Sequence, residues 1–375
     1  MQLEHILVEL QTASSSFVKQ LLPSATTCTL RYNKASTASI TVRDSDPAVP
    51  ALIAPGARAT VWLITLDEGL LTQRRLVEGR VGQIESAGPY GNLTASVVDD
   101  FSWFTSMLAW QKPDAAVTAQ TSEFATYTGP AETRALAVIA AAVDRLNLPV
   151  DVPASEGRGP VGVSRFRMDQ VATVVDMLTD ARLQLTIERN RETGRWVVEI
   201  RTGAVYTRAL TALSGVISSW RIARQPATAT RVVVGGAGQG VAREYKTVIN
   251  SALEAELGRV LEVYVDASDA EPGADLTPYG LEALAANAEK GSVAAELRET
   301  SWFRYPTSYD LGTRVPVQVG PAAIHDIVSE ITVAHTNEAG FTVTPRFGFA
   351  DMEPQTRLTK YVASIAKSVR SLERR

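Results

Sequence analysis

Cysteine is almost absent: Cys28 stands alone, so no internal disulfide can form. Histidine is nearly as scarce, and His5, His325 and His335 cannot supply a His-rich metal centre. Long apolar runs are missing too. The apolar stretch 135–143 falls far short of the roughly 20 residues that cross a bilayer. The first residues, Met1-Gln2-Leu3-Glu4-His5, carry an acid where a secretory leader carries a base, and Glu9 interrupts the apolar stretch that follows. Neither a leader nor a membrane anchor is therefore expected. Excess charge of one sign is also lacking: 37 basic against 41 acidic residues give −4, which argues against a surface built wholly for nucleic acid. What is present is length and apolar content. The chain has 375 residues, 45% of them hydrophobic, enough for two or three cores.

The patterning predicts a β-rich α+β protein. In residues 1–110, Cys28, Leu30 and Tyr32 alternate with polar neighbours, as do Ile40 and Val42, then Leu93, Ala95 and Val97. Strands are also expected over 60–66 and 76–84, with a turn at 88–91. Short strands at this spacing read as a small antiparallel barrel or sandwich, the barrel being preferred. Residues 111–205 change character. Gly129-Pro130 opens a predicted helix over 131–146, with Leu136, Ile139, Val143 and Leu146 on one face and Asn147 and Pro149 ending it. A second helix carries Val171, Val174, Val175 and Leu178. A hairpin follows: the period switches to two at Leu183, Leu185 and Ile187, turns through 190–194, and resumes at Trp196, Val198 and Ile200. Residues 206–350 return to strands, predicting a second barrel with a helical insertion near 277–299. Residues 351–375 read as a C-terminal amphipathic basic helix, with Val362, Ile365, Val369 and Leu372 on its apolar side. That helix lies on its own protein, packs against copies of itself, or docks on an acidic partner.

No chemistry-bearing constellation emerges. The glycines at 235–240 follow a β-branched strand, but a dinucleotide loop needs glycine where Val241 stands and a helix after it, so a glycine-rich turn is expected. Cys28 sits in a strand pattern and reads as a small core residue; His325 and His335 read as packed or solvated. Asp266, Asp269, Glu271 and Asp275 lack the spacing of a calcium loop and read as a solvated acidic loop. Asp99 and Asp100 would point to opposite faces of a strand, so they cannot work as a hydrolytic pair. Phe101, Trp103, Phe104 and Trp110 read as a domain-closing core in preference to a carbohydrate platform. The residues thus assign no catalytic, cofactor-binding or metal position. A carboxylate pair assembled from distant positions escapes a reading of this kind. A cell-wall-directed carbohydrate-active enzyme, or a glycan-binding module, is therefore the alternative.

The order of elements resembles the tail-hub (tail-tip, baseplate-hub-like) minor tail proteins of long, flexible-tailed bacteriophages. The likeness is carried by the strand pair at 30–42, the turn Ile53-Ala54-Pro55-Gly56, the step Glu78-Gly79-Arg80-Val81-Gly82-Gln83-Ile84, and the aromatic exit after Asp99-Asp100-Phe101. Farther on it includes the entry 225–231 into the glycine turn, the late strand opening at Tyr309-Asp310-Leu311-Gly312, and the closing hairpin 337–343. The resemblance implies a non-enzymatic virion protein at the tail tip, made in the host cytoplasm and without cofactors. It implies a homotrimer, each copy giving two similar β-barrels, so that six cap the hexameric tail tube around a DNA exit channel. Implied partners are a distal tail protein or the tube above, other tail-tip or receptor-binding proteins, and transiently the tape-measure protein and DNA. Many such hubs continue into a lytic or receptor-binding extension; this sequence stops after its basic helix, which argues against a cell-wall-degrading role.

Overall fold

The computed structural model describes residues 3–67, 70–86, 91–268, 270–288, 290–319, 322–336, 338 and 340–348. The expected turn at 88–91 (save Gly91) and the basic helix over 351–375 lie outside them. The chain divides into two compact units: Met1–Gly203, Ala227–Ala288 and Ile331–Val343 form the first, and Ala204–Pro226, Glu289–Glu330 and Thr344–Arg375 the second.

The first unit is built on strands β1 (Leu3–Gln11), β2 (Phe17–Leu21), β3 (Ala25–Arg31), β4 (Thr37–Arg43), β5 (Arg58–Asp67), β6 (Leu70–Ser86) and β7 (Asn92–Asp99). They lie in the order β2-β1-β5-β6-β7-β4-β3, with antiparallel neighbours throughout. The period-two pattern lands as expected. Cys28, Leu30, Ile40, Val42, Leu93, Ala95 and Val97 are all buried, joined by Ile6, Val8 and Leu10 of β1. Gly79 allows β6 to lie close on β7: a Cβ there would fall 1.9 Å from the Val98 carbonyl oxygen.

The predicted closed barrel is not what these strands make. Among the described residues β2 pairs only with β1 and remains an edge. Four of its five side chains are exposed, so it offers no inward row that closure would bury. The sheet curls all the same. His5 of β1 and His335, near the end of strand Ala322–Thr336, meet edge to face with ring centroids 5.3 Å apart, a side-chain contact where a barrel would have a hydrogen-bonded seam.

Strands β8 (Ala125–Pro130) and β9 (Val161–Phe166), helices α1 (Ala131–Leu146) and α2 (Val174–Asp180), and the hairpin β10 (Leu183–Arg189)–β11 (Trp196–Thr202) build a second layer of this unit. Helix α1 has the predicted bounds. Asn147 ends it in the left-handed conformation at φ 49°. Its buried face, including Leu136, Ile139 and Val143, joins Phe104, Phe166, Leu178, Leu185 and Val198 in one core. Each such side chain contributes ~1.5–3 kcal/mol on burial.

Residues 227–288 form a small layer of their own: β12 (Arg231–Gly235) lies between antiparallel β13 (Tyr245–Ile249) and parallel β14 (Glu262–Asp266). Helix α3 (Thr277–Ala286) covers Val232 and Val234, and Glu282 anchors it by accepting the Val163 N–H of β9 at 2.8 Å and lying 3.7 Å from buried Arg134. The glycines after β12 make the expected turn. The predicted helix over 277–299 is half right, because it stops at Asn287, whose side chain donates to the Ala283 carbonyl at 2.8 Å. Lys290–Leu297 is a strand paired with Ile217–Gln225. Ala295 and Leu297 are buried on alternate positions of this strand, and such pairing overrides the weak helix preference of Ala and Glu.

The predicted second barrel does not close either: among the described residues Ile217–Gln225 pairs only with Lys290–Leu297 and stays an edge. In the second unit that pair is joined by Gly340–Phe347 through Ala295 and Phe347. Arg314–Val319 forms a hairpin with the first half of Ala322–Thr336. Its core is aromatic: Phe303 stacks on Tyr309 at 4.3 Å and meets Tyr206 edge-on at 5.3 Å. Glu299 closes this cluster, accepting the Tyr305 N–H at 2.5 Å and the Tyr309 hydroxyl at 3.1 Å. Burial raises the Glu299 carboxyl above its usual range.

Candidate functional site

A buried polar arrangement in the first unit follows the end of β7. Asp99 caps the short turn after it, accepting the N–H groups of Ser36 at 2.9 Å and Phe101 at 3.2 Å. Burial nevertheless pushes its carboxyl up to about 7, against the pull of those donors. Asp100 turns the other way. One oxygen, Oδ2, accepts from Arg58 Nη2 at 2.6 Å and from the Trp196 indole N–H at 2.6 Å. Both ionic side chains are 4% exposed. Trp196 is flanked by Trp103 at 4.7 Å, with the Arg58 guanidinium 5.5 Å from its ring. Asp100 thereby ties the start of β5 to the start of β11. A cleft of about 420 Å³ opens beside this junction, with Arg58, Arg80, Trp103, Trp196, Met107 and Leu146 among its walls.

This geometry is that of a staple. Asp99 and Asp100 are engaged separately, as the sequence implied, although the turn between them separates them and not strand alternation. The remaining candidates fall out as follows. Cys28 is fully buried and burial raises its thiol to about 12, so it is a packed core residue. His325 is exposed, while His335 is buried and held below the usual histidine range by desolvation and then by His5. Asp266 binds Arg243 and the Ser268 N–H, and Asp275 caps Thr277; among the described residues no cluster of three metal-ligating side chains occurs. Phe101 and Phe104 pack edge to face at 5.1 Å in the core, and Trp110 lies against Arg145. Among the described residues no helix is long and apolar enough to cross a membrane. The sequence reading missed Arg58 and Trp196, which lie 42 and 96 positions from Asp100 and carry no local signal of that partnership.

Comparison with known proteins decides the kinship. The model of the Siphovirus ReqiPepy6 Gp37-like protein family matches residues 23–349. The chain belongs to that family. Its fold is shared with the 43 kDa tail protein of prophage MuSo2 from Shewanella oneidensis, at 13% identity and TM-score 0.52, covering 92% of this chain and 98% of that one. It is shared equally with the prophage tail protein gp18 from Listeria monocytogenes EGD-e, at 10% identity and TM-score 0.53, covering 98% and 99%. No curated protein matches in sequence. The element order resembled tail proteins of long-tailed bacteriophages, and the match is to a siphovirus protein family over residues 23–349, spanning both compact units.

Proposed function

We propose that this protein is a structural component of the phage tail tip, a hub assembled from three copies of the chain. The observation that carries the reading is the family match over 23–349 together with a fold shared along nearly the whole chain with prophage tail proteins. Each copy brings two strand-rich regions flanking the α+β layer of 111–205. Three copies then present six strand-rich faces to a hexameric tube, and closed rotational symmetry is the natural way to end one. The ring surrounds a channel for DNA and the tape-measure protein. A net charge of −4 suits passage of a polyanion, since clustered cations would hold its phosphates. The distal tail protein or tube lies above, and further tail-tip or receptor-binding proteins attach around it. The chain acts by shape and assembly, without turnover or cofactor. Mass measurement of the purified full chain tests this: a particle of three 40.4 kDa chains is expected, and a stable monomer at micromolar concentration overturns the trimer.

A further inference from the structure

A second cavity, of about 220 Å³, lies where β1 and β2 approach the end of β10, and it is lined by Glu9, Gln11, Ser15, Phe17, Arg189 and Arg191. Several of its groups are left unused by the fold. Gln11 is 5% exposed; its amide N–H donates to Thr60 Oγ1 at 2.9 Å, but its carbonyl oxygen has no partner. Ser15 is 7% exposed, its hydroxyl is likewise unpartnered, and its backbone sits at φ +63°, a conformation strained for serine. Arg189 gives Nη1 to the Ser15 carbonyl at 3.3 Å, its Nε has no partner, and among the described residues no carboxylate neutralises it. Its neighbour Arg191 is satisfied by Glu9 at 2.8 Å, so one positive charge remains in the cavity. Phe17, 62% exposed at the bulged end of the β1–β2 pair, supplies an open aromatic face.

We propose that this cavity binds a single acidic saccharide unit, a sugar ring bearing one carboxylate. The donors and acceptors select that class. A bare anion answers Arg189 and Ser15 but gives the Gln11 carbonyl no donor. An apolar ligand leaves the Arg189 charge without an anionic partner, since its contacts are the neutral Ser15 carbonyl and the Trp196 ring. A hydroxyl-bearing ring with a carboxylate meets all three: a hydroxyl donates to Gln11, the carboxylate accepts from Arg189 and Ser15, and the C–H face of the ring lies on Phe17. The volume admits one ring and no chain. Binding here is independent of the tail-hub reading, and either can fail alone.

Titration calorimetry on the full chain tests it, with glucuronate, glucose and acetate as probes. Glucuronate is expected to bind, glucose to bind at least ~10-fold more weakly, and acetate to give no measurable heat. Arg189→Gln should abolish the preference for glucuronate over glucose, and Phe17→Ala should weaken both sugars. Phe17 is on an exposed edge, so that variant keeps its thermal midpoint and carries the test even if Arg189→Gln does not fold. Acetate binding as tightly as glucuronate, no saccharide heat at all, or affinities unchanged by Phe17→Ala would overturn the proposal.

Discussion

Asp99 and Asp100 are chain neighbours with different tasks, and each gives a measurable consequence. Asp99 has its folded value raised from an ordinary 3.8 to about 7. Between those values the folded protein binds more protons than the unfolded chain, so stability is greatest below pH 4 as far as this group is concerned and falls as pH rises to 7. Denaturant midpoints measured from pH 4.5 to 8 should therefore include a declining contribution, worth on the order of a few kcal/mol across the window. Asp99→Asn, which keeps one capping acceptor, should remove that component of the slope; an unchanged profile would show that Asp99 does not titrate there. Asp100 tests differently. Arg58→Met leaves a carboxylate buried with one indole donor and should cost ~3–5 kcal/mol, whereas the pair Arg58→Met/Asp100→Leu should cost clearly less than the two single changes added together. Equal and additive losses would contradict the staple. Neither feature is legible in the sequence. Two adjacent acids at a strand end imply a turn, but the partners that give them meaning arrive from 42 and 96 residues away.

At the scale of elements, local periodicity was informative wherever one face is buried. Helix 131–146 and the strands around Cys28, Ile40 and Leu93 could be read because their apolar spacing matches a single period and their ends carry Pro130, Asn147 or a turn. Residues 290–297 could not, since Ala and Glu suit a helix and only the partner strand at 217–225 decides otherwise. Barrel closure could not either, because it depends on whether β2 finds a second partner. Two glycines distinguish backbone from side-chain constraint. Gly79→Ala places a methyl 1.9 Å from a strand carbonyl that cannot move without breaking the β6–β7 pairing, so a loss of more than ~3 kcal/mol is expected. Gly235→Ala meets the Tyr264 hydroxyl, the far end of a half-exposed side chain, and Arg243 Nε at 2.9 Å, side-chain atoms in both cases and no backbone. Its cost should stay near ~1 kcal/mol. Thermal or denaturant unfolding of the two variants checks the contrast, and equal losses would refute it.

For the molecule as a whole, the buried polar groups serve to join layers. The described residues hold their polar groups in staples such as Asp100–Arg58–Trp196 and Glu282–Arg134, which join layers within the first unit. The chain belongs to a siphovirus protein family, and its fold is shared with two prophage tail proteins at 10–13% identity, so very different sequences specify one scaffold. Which surfaces meet other subunits is a property of the assembled tail, and no single-chain pattern encodes it. The most direct test is therefore cryo-imaging of virions that carry this protein. Density is expected for three copies of the chain in a ring at the distal end of the tail tube, around a central channel. A tail tip without the chain, or a single copy off the tail axis, would contradict it.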